Sequence, residues 1–302
     1  MEELQTEPTK KDYAVCIYGQ LRGVKSSIGK FYENLIDVLD ADLYLLVQKT
    51  NTDIDNDIHL FEKKVLKKVL YDAPKDIESM YVNYYKYNKL LRDDNYICYA
   101  SLQIYFNLCM MCDMFGETLE KNYRYIILTR SDFHNLFPFP NILQLCDTDD
   151  TLWHYDINSY GGINGSLICV PSKYIKFFLK LFKSFLDDSK NIDLLNCVQC
   201  CKECPWIRLN SEVYLKMIID INKCTQKWNT GKLRSNTFLS ASSAQEITTW
   251  GSISYDPVTN LYYKYETQYR DALSGQNEYY NESKKWTLQY NVDDDTKRIL
   301  LL

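Results

Sequence analysis

The sequence has few histidines and no long apolar segment. Only 3 His occur among 302 residues, which makes a His-rich metal site improbable and leaves few candidates for a Ser-His-Asp or Cys-His mechanism. No stretch approaches the roughly 20 apolar residues of a membrane-spanning helix. The polar segment 1–11 has no apolar core of the kind found in secretory signal peptides. These absences predict a cytoplasmic protein without a membrane span.

An excess of positive charge is also missing. Lys+Arg number 35 and Asp+Glu 40, so the formal net charge is −5 at pH 7, and the sequence pI is about 5.4. This balance argues against a general nucleic-acid binder, although it does not exclude local basic patches. Hydrophobic residues make up 46% of the chain, enough for a full core. The length predicts one large α/β domain or two small ones.

Cysteine, in contrast, is abundant. The chain has 11 Cys, and without a signal peptide most are expected to be reduced thiols. Four of them form two abutting pairs, Cys197, Cys200, Cys201 and Cys204. This spacing is tighter than that of usual zinc sites, which favours a structural or incidental role. Zinc binding and disulfide formation on oxidation remain alternatives.

The first third of the chain has the pattern of a βαβ unit. We expect residues 1–11 to be a disordered tail. An apolar, β-prone run at 13–18 ends at a glycine-bounded turn, 19–23. A helical pattern follows, in which Ser26 or Ser27 is the expected N-cap, and a second buried-type strand lies at 42–47. Strand, helix and strand in this order predict a parallel sheet.

Further elements follow along the chain. The patterns predict a helix leading into a strand over 58–71, helices over 77–91 and 97–120, strands over 123–129, 153–156 and 166–170, and a helix from 171 to about 186. Another helix begins at about 210. The pattern weakens from about residue 225. We therefore expect an α/β domain over 12–225 and an irregular C-terminal extension over 226–302, packed on the same domain.

Two of the predicted strands end in residues suited to binding phosphate. Tyr18-Gly19-Gln20-Leu21-Arg22-Gly23 lies at the carboxyl end of the first strand, where ligands bind in open α/β sheets. Arg22 could hold a pyrophosphate oxygen by paired hydrogen bonds. The alternative is an ordinary turn with a surface arginine. The sequence is neither GxGxxG nor a P-loop.

Arg130-Ser131-Asp132 follows the strand predicted at 123–129. A carboxylate in this position suits Mg²⁺ or Mn²⁺ that bridges phosphates. The alternative is a loop aspartate that caps the next turn. A nearby segment, 147–150, spells Asp-X-Asp, but it lies in a polar loop and is interpreted as a solvated turn.

Two more segments are candidate site elements. Tyr160-Gly161-Gly162-Ile163-Asn164-Gly165 is a glycine-rich loop just after Asp156. It indicates either close backbone approach to a ligand or a hairpin connection. Glu212 lies near the start of an apolar helix, where the helix dipole favours a carboxylate. It could instead be a general base aimed into a cleft.

The order of these motifs resembles that of GT-A-type nucleotide-sugar glycosyltransferases, in particular compact cytosolic ones encoded by large DNA viruses and some microbes. The motifs in order are the turn 18–23, the strand 42–47, a long helix with Gln103, the segment 123–132, the loop 160–165, and Asn210-Ser211-Glu212. The resemblance covers about residues 12–220. It implies a Rossmann-like, mixed and mainly parallel sheet flanked by helices.

The resemblance also implies a role for each candidate residue. Tyr18, Gly19, Gln20, Arg22, Arg130 and Asp132 would bind the nucleotide sugar, with Asp132 also binding Mn²⁺ or Mg²⁺. Tyr160, Gly161, Gly162 and Asn164 would line the sugar and acceptor pocket. Glu212, or failing that Asp156, would be the base of an inverting transfer. Arg130 stands where relatives have the first Asp of Asp-X-Asp, and Gly165 where they often have Asp.

The expected function is therefore transfer of a sugar from a nucleoside diphosphate sugar, UDP-sugar above all, to a glycan hydroxyl. Two alternatives remain open. One is another nucleotide-dependent transferase on a similar sheet. The other is a non-enzymatic interaction protein that keeps a degraded transferase fold.

Overall fold

A computed structural model describes residues 9–49, 53–75, 99–136, 138–144, 150–155, 167–180, 212, 215, 229–233, 237–241, 253–257, 260–266, 269–270 and 279–281. The strands in these ranges are β1 Lys11–Gly19, β2 Asp42–Gln48, β3 Val65–Tyr71, β4 Tyr123–Thr129, β5 Phe133–Asn135, β6 Thr151–Tyr155, β7 Leu167–Pro171, β8 Asn229–Leu233, β9 Thr237–Ala241, β10 Ser254–Asp256, β11 Leu261–Tyr263 and β12 Tyr279–Asn281.

The α-helices are α1 Val24–Phe31, α2 Tyr99–Asn122 and α3 Ser172–Lys180. A π-helix, Tyr32–Ile36, continues α1, and 3-10 helices cover Asp53–Leu60 and Ile142–Gln144. None of the helices that the structure describes has the length together with the apolar composition that crossing a membrane requires.

Eight of these strands form one mixed sheet in the order β12-β8-β6-β7-β4-β1-β2-β3. β1 pairs in parallel with β2 and with β4, and β2 pairs in parallel with β3. β7 runs antiparallel to both β4 and β6, while β6 and β8 are parallel. The expected α/β class, with a mixed and mainly parallel sheet, is confirmed.

The core lies on both faces of this sheet. Ala14, Cys16 and Tyr18 of β1 face a cluster formed with α2 and α3. The intervening residues of β1 face a second cluster formed with α1 and the π-helix. Burial on both faces explains why the central strands are continuous apolar runs rather than alternating ones. The described cysteines Cys16, Cys109, Cys112 and Cys169 are buried, and no disulfide joins any two of them.

The C-terminal residues contribute to two sheets. β8 and β12 extend the main sheet, whereas β9, β10 and β11 form a second sheet with β5 in the order β10-β11-β9-β5. The sequence pattern is weak here because these strands have only three to five residues, too few for a visible period. The chain leaves the main sheet at Thr129 and enters the second sheet at Phe133.

Several boundaries differ from the sequence-based expectations. β1 already begins at Lys11, the last residue of the expected tail. The N-cap of α1 is Gly23, with φ of 60°, so the prediction of Ser26 or Ser27 is wrong and both lie inside the helix. α2 corresponds to the helix expected over 97–120. The helix expected over 77–91 lies outside the described residues.

Candidate functional site

The candidate site lies where β1 and β4 end. The two strands are parallel neighbours in the sheet, so their carboxyl ends meet at one edge. In the sheet, β2 and β3 lie on one side of β1, whereas β4 lies on the other side of β1. This reversal of strand order is the point at which open α/β sheets form a ligand-binding crevice.

The turn after β1 depends on its two glycines. Gly19 has a φ of 92° and Gly23 a φ of 60°, values that side chains other than glycine rarely adopt. A Cβ at Gly19 would also lie 3.1 Å from the Nδ2 atom of Asn107 on α2. The backbone of this turn therefore passes close to the helix behind it.

Asn107 belongs to a buried polar network under the turn. Its Oδ1 accepts hydrogen bonds from the Tyr71 hydroxyl at the end of β3 and from Gln103 Nε2, the latter at 3.1 Å. Gln103 was part of the motif order in the sequence, whereas Asn107 and Tyr71 were missed. The (i, i+4) spacing of Gln103 and Asn107 was the available signal, because it places both on one face of α2.

Ser131 joins the turn after β1 to the turn after β4. Its Oγ accepts a hydrogen bond from the backbone N–H of Arg22, at 3.1 Å, and lies 3.3 Å from the carbonyl oxygen of the same residue. The Ser27 hydroxyl donates to the carbonyl oxygen of Ser131 at 2.7 Å. Ser131 was part of the motif in the sequence but had no assigned role. It brings Arg22 beside Asp132.

The Asp132 carboxylate is buried between two arginines. Its side chain is 2% exposed, and Oδ2 contacts the guanidinium of Arg130 and lies 3.8 Å from Arg22 Nε. The side chains of Arg22 and Arg130 are 32% and 27% exposed. Among the described residues, neither Arg22 Nε nor Asp132 Oδ1 has a hydrogen-bond partner. One donor and one acceptor at the site are therefore unused.

The two arginines respond differently to their surroundings. Burial lowers the pKa of Arg22, and the attraction of Asp132 does not fully compensate. Burial also acts to lower the pKa of Arg130, but the attraction of Asp132 and its hydrogen bond outweigh it, so that pKa is raised. Both side chains stay cationic at neutral pH, because a guanidinium does not lose its proton in proteins.

Two further titratable side chains at this site are Tyr18 and Glu212. Burial raises the pKa of Tyr18 to about 12, Arg130 opposes the rise, and Asp132 and Glu212 add to it. The Tyr18 hydroxyl is therefore neutral at pH 7. Glu212, which is half-buried, is thus close enough to Tyr18 to act on its hydroxyl electrostatically, although 80 residues separate it from Asp132 in the sequence.

One wall of the site comes from the second sheet. The Arg130 guanidinium lies 5.5 Å from the centre of the Phe133 ring, within the range of a cation–π contact. Tyr265 packs against Phe133 and contributes to the electrostatic surroundings of Arg130. Tyr265 has a φ of 63°, unusual for a bulky residue. No local sequence pattern predicts this wall, because it depends on contacts between distant segments.

The structure thus brings together Tyr18, Arg22, Arg130, Asp132 and Glu212. Gly19 and Gln20 belong to the same turn. The other candidates lie outside the described residues, namely Asp156, the loop with Tyr160, Gly161, Gly162 and Asn164, and the four clustered cysteines. Asp150, from the rival Asp-X-Asp segment, pairs with Lys173 and accepts a hydrogen bond from Tyr174, both on α3.

A cluster of metal ligands is not found in the part of the chain that the structure describes. No group of three or more His, Cys, Asp or Glu side chains comes together there. At Asp132 the neighbouring charges are arginines rather than further carboxylates. What the described residues assemble is a pair of guanidiniums around one buried carboxylate, at the edge of the sheet where β1 and β4 end.

Comparison with known proteins gives structural likenesses only. No family model and no curated protein matches the sequence. The crystal structure of mouse xyloside xylosyltransferase 1 in its apo form is 12% identical, with a TM-score of 0.37, over 70% of this chain and 82% of that one. The X-ray structure of the S. cerevisiae mannosyltransferase Ktr4p in complex with GDP is 15% identical, with a TM-score of 0.31, over 51% and 42%.

Both of these proteins are glycosyltransferases by name. At such identities and TM-scores they show neither the substrate nor the mechanism of this chain, both of which depend on its own residues.

Proposed function

We propose that this chain is a GT-A-like glycosyltransferase that moves a sugar from a nucleoside diphosphate sugar, with UDP as the nucleotide, to a glycan hydroxyl. The observation that carries the proposal is the position of Arg22 and Arg130. Arg130 directly follows β4, and Arg22 lies in the turn after β1, three residues beyond its end. The two strands are parallel neighbours, and the carboxyl ends of such strands are where α/β sheets bind nucleotides. Guanidinium groups match the geometry and charge of phosphate oxygens.

The chemistry that this arrangement supports is displacement at the sugar C1. The bond between C1 and the diphosphate oxygen breaks, and its electron pair leaves with the diphosphate. The arginines stabilise the charge that develops there. The acceptor oxygen forms the new bond to C1 from the opposite face, and Glu212 takes the proton of the acceptor hydroxyl. This sequence of events inverts the configuration at C1.

The remaining assignments extend this proposal. Tyr18, Gly19 and Gln20 contact the nucleotide. Tyr160, Gly161, Gly162 and Asn164 line the sugar and acceptor pocket, and Asp156 is the second candidate for the base. The domain boundaries at 12–225 and 226–302, the cytoplasmic location and the affiliation with viral enzymes stay predictions.

The described residues do not fit the divalent ion that the resemblance implies. Mg²⁺ takes oxygen ligands, and usually one or two carboxylates together with phosphates. Here the single carboxylate of Asp132 already has two cationic partners. The expectation from the sequence that Asp132 binds Mn²⁺ or Mg²⁺ is therefore not part of this proposal, and no step above depends on an ion.

A donor screen tests the function. Purified full-length protein is mixed with UDP-, GDP- and dTDP-sugars, and thermal stability and release of free nucleotide are followed with Mn²⁺ and with EDTA. We expect one UDP-sugar to stabilise the protein and to be slowly hydrolysed. Arg22→Ala should remove most of this response.

Arg124→Ala is the matched control. Arg124 is also on β4 but lies at its amino end, where it pairs with Asp12 on the surface, so its loss should leave the response intact. A well-folded sample that responds to no donor would favour the non-enzymatic alternative. Nucleotide binding without release of any sugar would favour another nucleotide-dependent transferase.

A further inference from the structure

We propose that Arg22 and Arg130 take the place of a divalent cation in binding the donor diphosphate, with Asp132 acting as their counter-ion and not as a metal ligand. This inference rests on the proposed function for the identity of the anion. The site itself is defined by three charged side chains, and its affinity for a diphosphate can be measured without any sugar transfer.

The first argument is the balance of charge. Two guanidiniums surround one carboxylate, so the trio has a net charge of +1. A divalent cation would add to this positive charge, and Asp132 is the one carboxylate in contact with the two arginines to offset it, whereas a diphosphate would be attracted by both guanidiniums. Coulomb repulsion and attraction at such short range in a partly buried site are strong enough to decide between the two.

The second argument is the geometry of Asp132. Its Oδ2 atom is already in contact with Arg130 and near Arg22, so a metal ion at Oδ2 would have to displace a guanidinium. Only Oδ1 has no hydrogen-bond partner among the described residues. Asp132 could therefore offer a metal ion one oxygen at most, at the low end of the one or two carboxylates that usually hold Mg²⁺, and no group of three or more His, Cys, Asp or Glu side chains comes together in the described part of the chain.

The third argument is the pair of unused hydrogen-bonding atoms. Arg22 Nε can only donate, and Asp132 Oδ1 can only accept. A phosphate oxygen satisfies the first after a small shift of the guanidinium, and a hydroxyl satisfies the second. A nucleoside diphosphate offers both groups in one molecule. Buried polar atoms without partners are costly, so a ligand that pairs with both would bind with added affinity.

The closing experiment measures binding by isothermal titration calorimetry. The probes are UDP and inorganic pyrophosphate, each titrated into the full-length protein with EDTA and with Mn²⁺, and Mn²⁺ alone is titrated as well. We expect the Kd of UDP and of pyrophosphate to differ less than about threefold between EDTA and Mn²⁺. We expect no saturable binding of Mn²⁺ alone at concentrations below about 1 mM. Arg22→Ala should raise both Kd values at least tenfold, and Arg124→Ala should change neither.

Asp132→Asn separates the two roles of Asp132. As a counter-ion, its neutralisation raises the net charge of the trio, so pyrophosphate affinity in EDTA should be retained or increased. As a metal ligand, its neutralisation would remove the Mn²⁺-dependent part of UDP binding. Binding that requires Mn²⁺ and is lost in Asp132→Asn overturns the inference.

Arg22 is partly exposed, so Arg22→Ala is expected to fold. Thermal denaturation of this variant checks its folding before the titration.

The outcomes also separate this inference from the proposed function. Metal-independent binding of pyrophosphate that depends on Arg22, together with no binding of UDP, GDP or dTDP, supports the anion site and contradicts the nucleotide-sugar function. Failure of pyrophosphate and of every nucleotide to bind overturns both. Mn²⁺-dependent binding of UDP supports the proposed function and contradicts only the inference that Arg22 and Arg130 take the place of a divalent cation.

Discussion

The backbone N–H of Arg22 donates a hydrogen bond to the hydroxyl of Ser131, 109 residues further along the chain. This bond ties the turn after β1 to the turn after β4, and the Ser27 hydroxyl binds the Ser131 carbonyl from the other side. The proximity of Arg22, Arg130 and Asp132 follows from these contacts, because the two turns that bear them cannot separate without breaking both bonds.

Ser131→Ala should therefore impair both stability and anion binding, although it removes no charge. The partly buried N–H of Arg22 loses its partner, which costs about 1 kcal/mol of unfolding free energy. Urea denaturation measures this loss, and calorimetry measures the Kd of pyrophosphate. Ser26→Ala is the matched control, since the Ser26 hydroxyl donates to the carbonyl oxygen of Gly23, three residues earlier in the same segment. Equal effects of the two changes would contradict the joining role of Ser131.

Glu212→Gln should abolish turnover and preserve donor binding. The amide cannot take the proton of the acceptor hydroxyl, so kcat should fall by about 100-fold or more. The Kd of UDP should stay within about twofold, because the variant keeps the size of the side chain. If Glu212 only interacts with the helix dipole, kcat will persist and stability will fall by about 0.3–1 kcal/mol. Steady-state kinetics together with thermal denaturation distinguishes the two roles.

Gly19→Ala and Gly29→Ala should change stability in opposite directions. At Gly19 the new Cβ meets both an unfavourable φ of 92° and Asn107 at 3.1 Å, so we expect a loss of about 1–3 kcal/mol. At Gly29, on an exposed position of α1, the Cβ meets nothing within 4 Å. The higher helix propensity of alanine should increase stability there by up to about 1 kcal/mol. Urea denaturation of both variants measures the contrast.

Gly231→Ala tests whether the C-terminal strands belong to the main fold. Gly231 on β8 faces the buried ring of Trp153, and an added Cβ would lie 2.4 Å from Trp153 Cε3. The structure must shift to make room, which costs about 1–3 kcal/mol. Thermal denaturation should show a lower Tm for the whole protein in one transition. A Tm within about 1 °C of the wild type would mean that residues 229–233 do not contribute to the cooperative core.

Acid should destabilise the protein through His134. Burial lowers the pKa of His134 below 6.5, with Lys30 acting in the same direction. As the pH falls below about 6.5, the unfolded chain takes up a proton that the folded one resists, so stability decreases until the folded pKa is reached. Urea denaturation between pH 7.5 and pH 5 should show this slope. We expect a smaller slope in His134→Gln, and an equal slope in this variant and the wild type would contradict the role of His134.

The sequence predicted the elements whose signal is local. The strand expected over 123–129 is β4 to the residue, because a strand buried on both faces is a continuous apolar run. Arg22 and Asp132 were found for the same reason, since each follows such a run. Their shared ion pair, and the role of Ser131, could not be predicted. These depend on contacts between distant segments, 109 residues apart in the case of Arg22 and Ser131, which no periodicity records.

The short strands show the same limit. β5 has three residues, Phe133–Asn135, and no alternation that could identify it. Its partner β9 lies about 100 residues later and supplies its ladder of hydrogen bonds. β-Strand formation here is decided by a distant partner and not by local propensity.

Arg130, Ser131 and Asp132 connect β4 of the main sheet to β5 of the second sheet. Ser131 is also hydrogen-bonded to Arg22 in the turn after β1. The backbone freedom of residues 130–132 is thus lost when the chain folds and not when a ligand arrives. Ordering a loop at the moment of binding subtracts from affinity, and this loop has little left to order. The conformational entropy of this turn is lost during folding. Ordering of the turn therefore subtracts very little from the binding free energy of the ligand.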